Sequence, residues 1–140
     1  MRFGLNKKAP ETTQGISQFQ KQVEPERLRV FEGFTDLPAD DLVMLSQFFE
    51  VEHMRPGSIL FDIGADDNRD YLLLEGQIDL VASDGRRTEI PANSERAAKA
   101  LARLRPRKFK AEVVLPSVLI SIEHSQLEHL MQQIQVNDEI

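Results

Sequence analysis

The chain has 140 residues, no cysteine, and 23 Asp and Glu against 17 Lys and Arg, for a formal charge of −6. That length suits one domain with room for a tail, the charge argues against bulk attraction to nucleic acid or anionic lipid, and the missing thiols exclude a disulfide framework, a thiolate metal site and a cysteine nucleophile. No apolar run reaches the roughly 20 residues that cross a bilayer, and the basic start lacks the apolar core of a secretory signal, so a cytoplasmic protein is the expectation.

Residues 1–24 are polar, with Gln14, Gln18, Gln20 and Gln22 around isolated Ile16, Phe19 and Val23. They read as a flexible or loosely docked tail, or as a short amphipathic helix that packs on the domain or on a partner. The domain itself is expected over 25–140. Pro25 suits the first turn of a helix carrying Leu28, Val30 and Phe31, which Gly33 ends. Thr35-Asp36-Leu37-Pro38 carries the start signals of a second helix, with Thr35 or Asp36 as cap and Asp40 and Asp41 in the first turn. Leu42, Leu45, Phe48 and Phe49 recur at helical spacing and define its core face.

After Glu50 the periodicity changes. Val51 to Arg55 and Ser58 to Phe61 read as short strands around the Pro56-Gly57 turn. Asp66 to Arg69 is a polar loop. Tyr71–Glu75 and Gln77–Ser83 read as two more strands, Ser83-Asp84-Gly85 as a hairpin turn, and Thr88 to Ile90 as a return that Pro91 stops. Residues 94–104, Ser-Glu-Arg-Ala-Ala-Lys-Ala-Leu-Ala-Arg-Leu, are the most helix-prone stretch, with Ser94 as cap and Pro106 as terminator. Lys108–Leu115 and Val118–Ile122 resume the strand pattern. A last helix follows, capped by Ser125, with Leu127, Leu130, Met131 and Ile134 on one face.

The fold class is therefore mainly β with flanking helices, an antiparallel barrel or jelly roll. Gly57 and Gly64 flanking Ile59-Leu60-Phe61, then Tyr71-Leu-Leu-Leu-Glu-Gly76, then Val81 through Asp84-Gly85, and later Leu119-Ile120-Ser121-Ile122 before a Ser-capped helix, resemble the cyclic-nucleotide-binding domain family. That family supplies the regulatory module of catabolite-activator-type transcription factors, cyclic-nucleotide-gated channels and the cyclic-AMP-dependent kinase. The resemblance covers residues 28–134 and implies a double-stranded β-helix jelly roll.

Function in that family resides in a phosphate-binding cassette, a Gly, then Phe-Gly-Glu, a short helix and Pro-Arg-x-Ala. Backbone N–H groups at the helix start cradle the cyclic phosphate, the Glu accepts from the ribose hydroxyl, and the Arg makes a charge-assisted contact with phosphate. By resemblance, Arg107 of Pro106-Arg107 is the phosphate-contact position, with Arg105 beside it and Glu95 as candidate ribose acceptor. The rest departs from the pattern. Phe-Gly-Glu is absent, Ile90 to Glu95 contains no Gly, and Glu95 lies further from Arg107 than the family spacing. Phe109 replaces the small Ala, and Lys108 and Lys110 stand where the family prefers small or apolar residues.

Arg96, Lys99, Arg103, Arg105, Arg107, Lys108 and Lys110 make a locally basic segment in an acidic chain, and Arg96, Lys99 and Arg103 share one face of the predicted helix. The pattern reads either as a solvated face over inward-packed Ala97, Ala100, Leu101 and Leu104, or as a surface for an anionic partner. That partner is an acidic protein, a cyclic dinucleotide or, least favoured, nucleic acid. No catalytic constellation is visible. His53, His124 and His129 are scattered and read as solvent-exposed, and Asp66-Asp67-Asn68 with Asp70 lacks the central Gly and closing Glu of a calcium loop. No metal and no resident cofactor are expected. No helix-turn-helix follows the last helix, which disfavours a transcription factor. The expectation is a non-catalytic regulatory or protein-interaction module that has lost ordinary cyclic-AMP binding. The alternative is a sensor of cyclic AMP, cyclic GMP or cyclic di-GMP. Self-association through the tail or the terminal helix is left open.

Overall fold

In the computed structural model, which describes residues 22–99 and 107–138, two antiparallel sheets face each other and helices cover one of them. The strands are β1 (Glu50–Met54), β2 (Ile59–Phe61), β3 (Arg69–Glu75), β4 (Gln77–Val81), β5 (Arg87–Pro91), β6 (Lys110–Val113) and β7 (Ser117–Glu123). The first sheet runs β1-β7-β3 and the second β2-β6-β4-β5. All the pairings are antiparallel, and the chain crosses between the sheets from β1 to β2, β2 to β3, β3 to β4 and β6 to β7, while β4, β5 and β6 stay in the second sheet. A 3-10 helix spans Pro25–Val30, and α1 (Ala39–Ser46) and α2 (His124–Asp138) complete the described elements.

Strand alternation divides the core. On the first sheet, Leu72, Leu74, Ile120 and Ile122 point to the helices and pack with Leu28, Phe31, Phe34, Leu42, Leu45, Phe49, Leu130 and Ile134. Leu73 and Leu119 point the other way and meet Phe61, Ile78, Ile90, Ala111 and Val113 between the sheets. Each fully buried aliphatic side chain contributes about 1.5–3 kcal/mol, so both layers are needed. Gly76, between β3 and β4, is required twice over. Its φ is +95°, and a Cβ there would lie 2.2 Å from Ser117 Oγ and 2.5 Å from the Pro116 carbonyl oxygen.

Several local expectations are corrected. Neither Thr35 nor Asp36 caps α1. Pro38 holds the cap position without a side-chain bond, Thr35 Oγ1 donates back to the Arg29 carbonyl at 3.1 Å, and Arg29 gathers the Thr35 and Leu37 carbonyls at 3.0 and 2.8 Å. Phe48 falls beyond the end of α1 and is exposed, whereas Phe49 is buried. Ser125 lies inside α2, which starts at His124, and its hydroxyl donates to Glu123. Pro91 pairs with Gln77 as the last rung of β5 rather than stopping the ladder before it. The helix expected over 94–104 is seen as turns through Lys99, with Ser94 Oγ accepting from the Ala97 N–H at 3.2 Å. Residues 100–104 of that prediction lie outside the described residues, as does the tail through residue 21. Val23 is buried in the helix-side core. Among the described residues, no helix is long and apolar enough to cross a membrane.

Candidate functional site

The inner face of the β1-β7-β3 sheet changes character along its length. Toward Met54, Leu119 and Leu73 it is apolar. Toward the other end it carries Glu50, Glu52, Ser121, Arg69 and Tyr71, brought side by side because Glu50 pairs with Ser121 and Ser121 with Tyr71. Arg69 Nη2 donates to Glu50 Oε1 and to Ser121 Oγ, each at 2.7 Å. The hydroxyl of Ser121, fully buried, donates to Glu52 Oε2 at 2.8 Å.

Arg107 closes this end. It is 1% exposed, the largest buried polar side chain described. Its main chain is fixed first: Arg107 N–H donates to the Ala65 carbonyl at 2.8 Å, and Gly64 N–H donates to the Arg107 carbonyl at 2.7 Å. The guanidinium then meets Asp67, with Nε donating to Oδ2 at 3.0 Å and Nη2 donating to Oδ1. Nη2 also donates to the Arg69 carbonyl at 2.6 Å. The Phe61 ring lies beneath it, 4.3 Å from guanidinium carbon to centroid. A two-pronged carboxylate contact plus an aromatic face is what a desolvated guanidinium needs, and what a bound phosphate would otherwise supply on the first count. Tyr71 shares the cluster. Burial raises its phenol above the ordinary value of 10.0, and the Glu52 and Asp67 carboxylates push the same way against Arg69 and Arg107.

The same loop reaches α2. Asn68 accepts from the His124 backbone N–H at 2.6 Å, and His124 Nδ1 lies 2.8 Å from Asp70 Oδ2. His124 is therefore a half-buried link between β3 and α2 rather than the solvated side chain expected. His53 and His129 are exposed. Among the described residues, no group of three His, Cys, Asp or Glu could hold a metal ion.

Glu95 is placed elsewhere. It is exposed at the rim of a cavity of about 310 Å3 that Val30, Phe31, Leu73, Asn93, Ala97 and Ala98 also line. Arg107 is not among the described lining residues. Ala97 is buried beneath this turn, as the inward-packing reading expects. The turn is tied to the N-terminal helical segment by the Glu32 N–H, which donates to the Ala98 carbonyl at 2.6 Å. Arg96, Lys99 and Lys108 are exposed, and Lys110 half-buried in β6. Arg103 and Arg105 lie outside the described residues. Asp67, Arg69, Phe61, Tyr71 and Ser121 carry no site motif in the sequence, where the Asp66-Asp67-Asn68-Arg69-Asp70 run reads only as an incomplete calcium loop.

No family model and no curated protein matches the chain. Among solved structures, it resembles a Geobacter metallireducens GS-15 protein named as a cyclic nucleotide-binding protein, with 21% identity over 82% of this chain and 91% of that one, at a TM-score of 0.63. It also resembles the regulatory domain of Toxoplasma gondii protein kinase A, solved with cyclic AMP, with 12% identity over 89% of this chain and 50% of that one, at a TM-score of 0.68. A third is the regulatory subunit of a cyclic-AMP-independent protein kinase A from Trypanosoma cruzi, bound to guanosine, with 13% identity over 78% and 40% of the two chains and a TM-score of 0.63. The chain thus spans half or less of the two kinase regulatory chains it resembles. Its fold is that of the cyclic nucleotide-binding jelly rolls.

Proposed function

We propose that this chain is a non-catalytic regulatory module in which Asp67 occupies the arginine that the cyclic-nucleotide family offers to phosphate, so that cyclic AMP is not its ordinary ligand. The observation that carries the reading is the buried Arg107 guanidinium, held by Asp67 and the Arg69 carbonyl over the Phe61 ring. To bind a cyclic phosphate there, the protein must break an internal charge-assisted pair and leave Asp67 beside a second anion, which opposes binding twice. The missing glycines and the absent Phe-Gly-Glu act in the same direction, since backbone cannot approach a phosphate closely without them. The output is assigned to a protein partner, with Arg96, Lys99 and Lys108 as its exposed basic contacts and an acidic surface as the complement. The bonds from Asn68 and Asp70 to His124 give the loop a mechanical route to α2.

The second reading is a second-messenger sensor. It is favoured by the neighbours in this fold solved with cyclic AMP or guanosine. Thermal unfolding of the chain with millimolar cyclic AMP, cyclic GMP or cyclic di-GMP separates the two, because any ligand of the native state raises Tm by mass action. The proposed module gives no shift with any of the three. A saturable rise that Arg107→Ala abolishes would establish the sensor instead.

A further inference from the structure

We propose that two patches on this chain, one basic and one acidic, are the two halves of a contact between copies of it. The second copy is then the acidic protein surface that the regulatory module meets, so the proposal rests on that reading of Lys108. The basic patch lies along β2, an edge strand of the second sheet. Phe61 pairs with Ala111 on β6. Past the strand end, Gly64 N–H donates to the Arg107 carbonyl and Arg107 N–H to the Ala65 carbonyl. Ile63 and Phe109 therefore lie across from each other between those rungs, and both are exposed, as is Ile59. Arg55 opens the turn before β2, where the Ser58 N–H donates to its carbonyl at 3.1 Å, and Lys108 and Lys110 flank Phe109. Among the described residues, no ion pair or side-chain hydrogen bond holds Arg55, Lys108 or Lys110. Of the acids beside them, Glu112 is taken by Arg87 at 2.9 Å, and Asp62 accepts from the Ile63 N–H at 2.8 Å.

The acidic patch is the outer face of α1. Asp40 and Val43 are three residues apart and share that face. Asp36 stands before the helix, Asp41 in its first turn, and Phe48 just past its end. Val43 and Phe48 are exposed. Among the described residues, no ion pair holds Asp36, Asp40 or Asp41. Arg29, close by through its bonds to the Thr35 and Leu37 carbonyls, is already paired with Glu26. Each patch thus offers unpaired charges of one sign around exposed apolar side chains, and the two signs are opposite. Complementarity of this kind selects the partner and fixes the register. Leu42 and Leu45 seat α1 on the helix side of the first sheet, whereas Phe61 of β2 belongs to the core on its other side. The contact is therefore head-to-tail, and each added copy leaves one patch of each kind free, so growth does not stop at a pair. A few apolar side chains on each side fall short of the roughly 1,200 Å2 that a stable interface buries, which makes the association weak.

The test is sedimentation equilibrium of the full chain from micromolar to millimolar concentration, in about 0.1 M and about 1 M NaCl. The net charge of −6 makes copies repel at long range. At about 0.1 M the Debye length is already about 10 Å, so further salt acts mainly on close contacts. The mean mass is expected to exceed the monomer, to keep rising with concentration, and to fall back at the higher salt. Lys108→Gln with Lys110→Gln, and separately Asp40→Asn with Asp41→Asn, should each weaken association about tenfold, the size of two exposed ion pairs. An equimolar mixture of the two variants joins the intact acidic patch of one to the intact basic patch of the other. It should recover the parent affinity and stop at a pair. A monomer at every concentration, a parent that stops at a pair, association that salt leaves unchanged or strengthens, or a mixture no tighter than its components would each overturn the proposal. None of these bears on the thermal-shift test of Arg107, so the two readings fail separately.

Discussion

The two faces of the β1-β7-β3 sheet are built from alternate residues of the same strands, yet they solve different problems. The helix-side face is apolar along Leu72, Leu74, Ile120 and Ile122, and three helical segments close over it. The inner face begins the same way at Leu73 and Leu119, then gives way to Arg69, Tyr71, Ser121, Glu50 and Glu52, with Arg107 behind them. An apolar face needs only cover, whereas a charged interior needs every group partnered. In a ligand-binding relative of this fold some of that partnership would come from the ligand. Here Asp67 provides it from a neighbouring loop, and the proposed function rests on that exchange.

Truncation on the two faces should cost different amounts. Ile120→Ala, at a fully buried position, is expected to lower unfolding free energy by about 4 kcal/mol. The next residue, Ser121→Ala, should lose about 1 kcal/mol, a hydrogen-bond effect, on the same strand facing the other way. Urea denaturation of both reads the contrast directly, and equal losses would erase it.

Asp67→Ala comes next. Removing one member of a buried ion pair costs about 3 kcal/mol, because the guanidinium stays behind in a dry environment. Asp67 itself is 29% exposed, which keeps the loss toward the lower end of such cases. A variant as stable as the parent would mean that Asp67 merely touches Arg107.

The smallest effect is also the cleanest to observe. Tyr71 is the chain's one tyrosine and there is no tryptophan, so phenolate absorbance reports this site alone. The folded protein holds the phenol proton more tightly than the unfolded chain, since burial, then Glu52 and Asp67, raise the folded value above 10.0. The native state therefore binds more protons than the unfolded state in the window from 10.0 upward, and stability falls as pH rises through it. Absorbance titration should place Tyr71 above the ordinary range in the parent. In Asp67→Ala the value should move back toward that range. No movement would detach Tyr71 from the cluster.

Most of the fold was legible because it is local chemistry. Short apolar runs between Gly57, Gly64, Gly76 and Gly85 read as strands with corners, and each of those glycines has positive φ. The spacing of Leu127, Leu130, Met131 and Ile134 placed α2 on the core. The ends of elements were less legible. Thr35 and Ser125 have the chemistry of caps, but the Arg29 clamp and the Asn68–His124 bond fix those ends instead. The site was legible only at Arg107. Its partner lies 40 positions away, and the Arg69–Ser121 bond spans 52. Such pairs exist only once the strand order is known, and no periodicity announces them. The same limit hid His124, whose partner Asp70 is 54 positions distant.

The claim that Asp67, and not a nucleotide, is the partner of Arg107 can be observed at the guanidinium itself. A proton–nitrogen NMR spectrum of the chain should contain a protected Arg107 Nε–H signal, displaced in Asp67→Ala and unmoved by millimolar cyclic AMP. A parent signal that shifts and saturates with cyclic AMP would show the arginine changing partners, and would contradict the account.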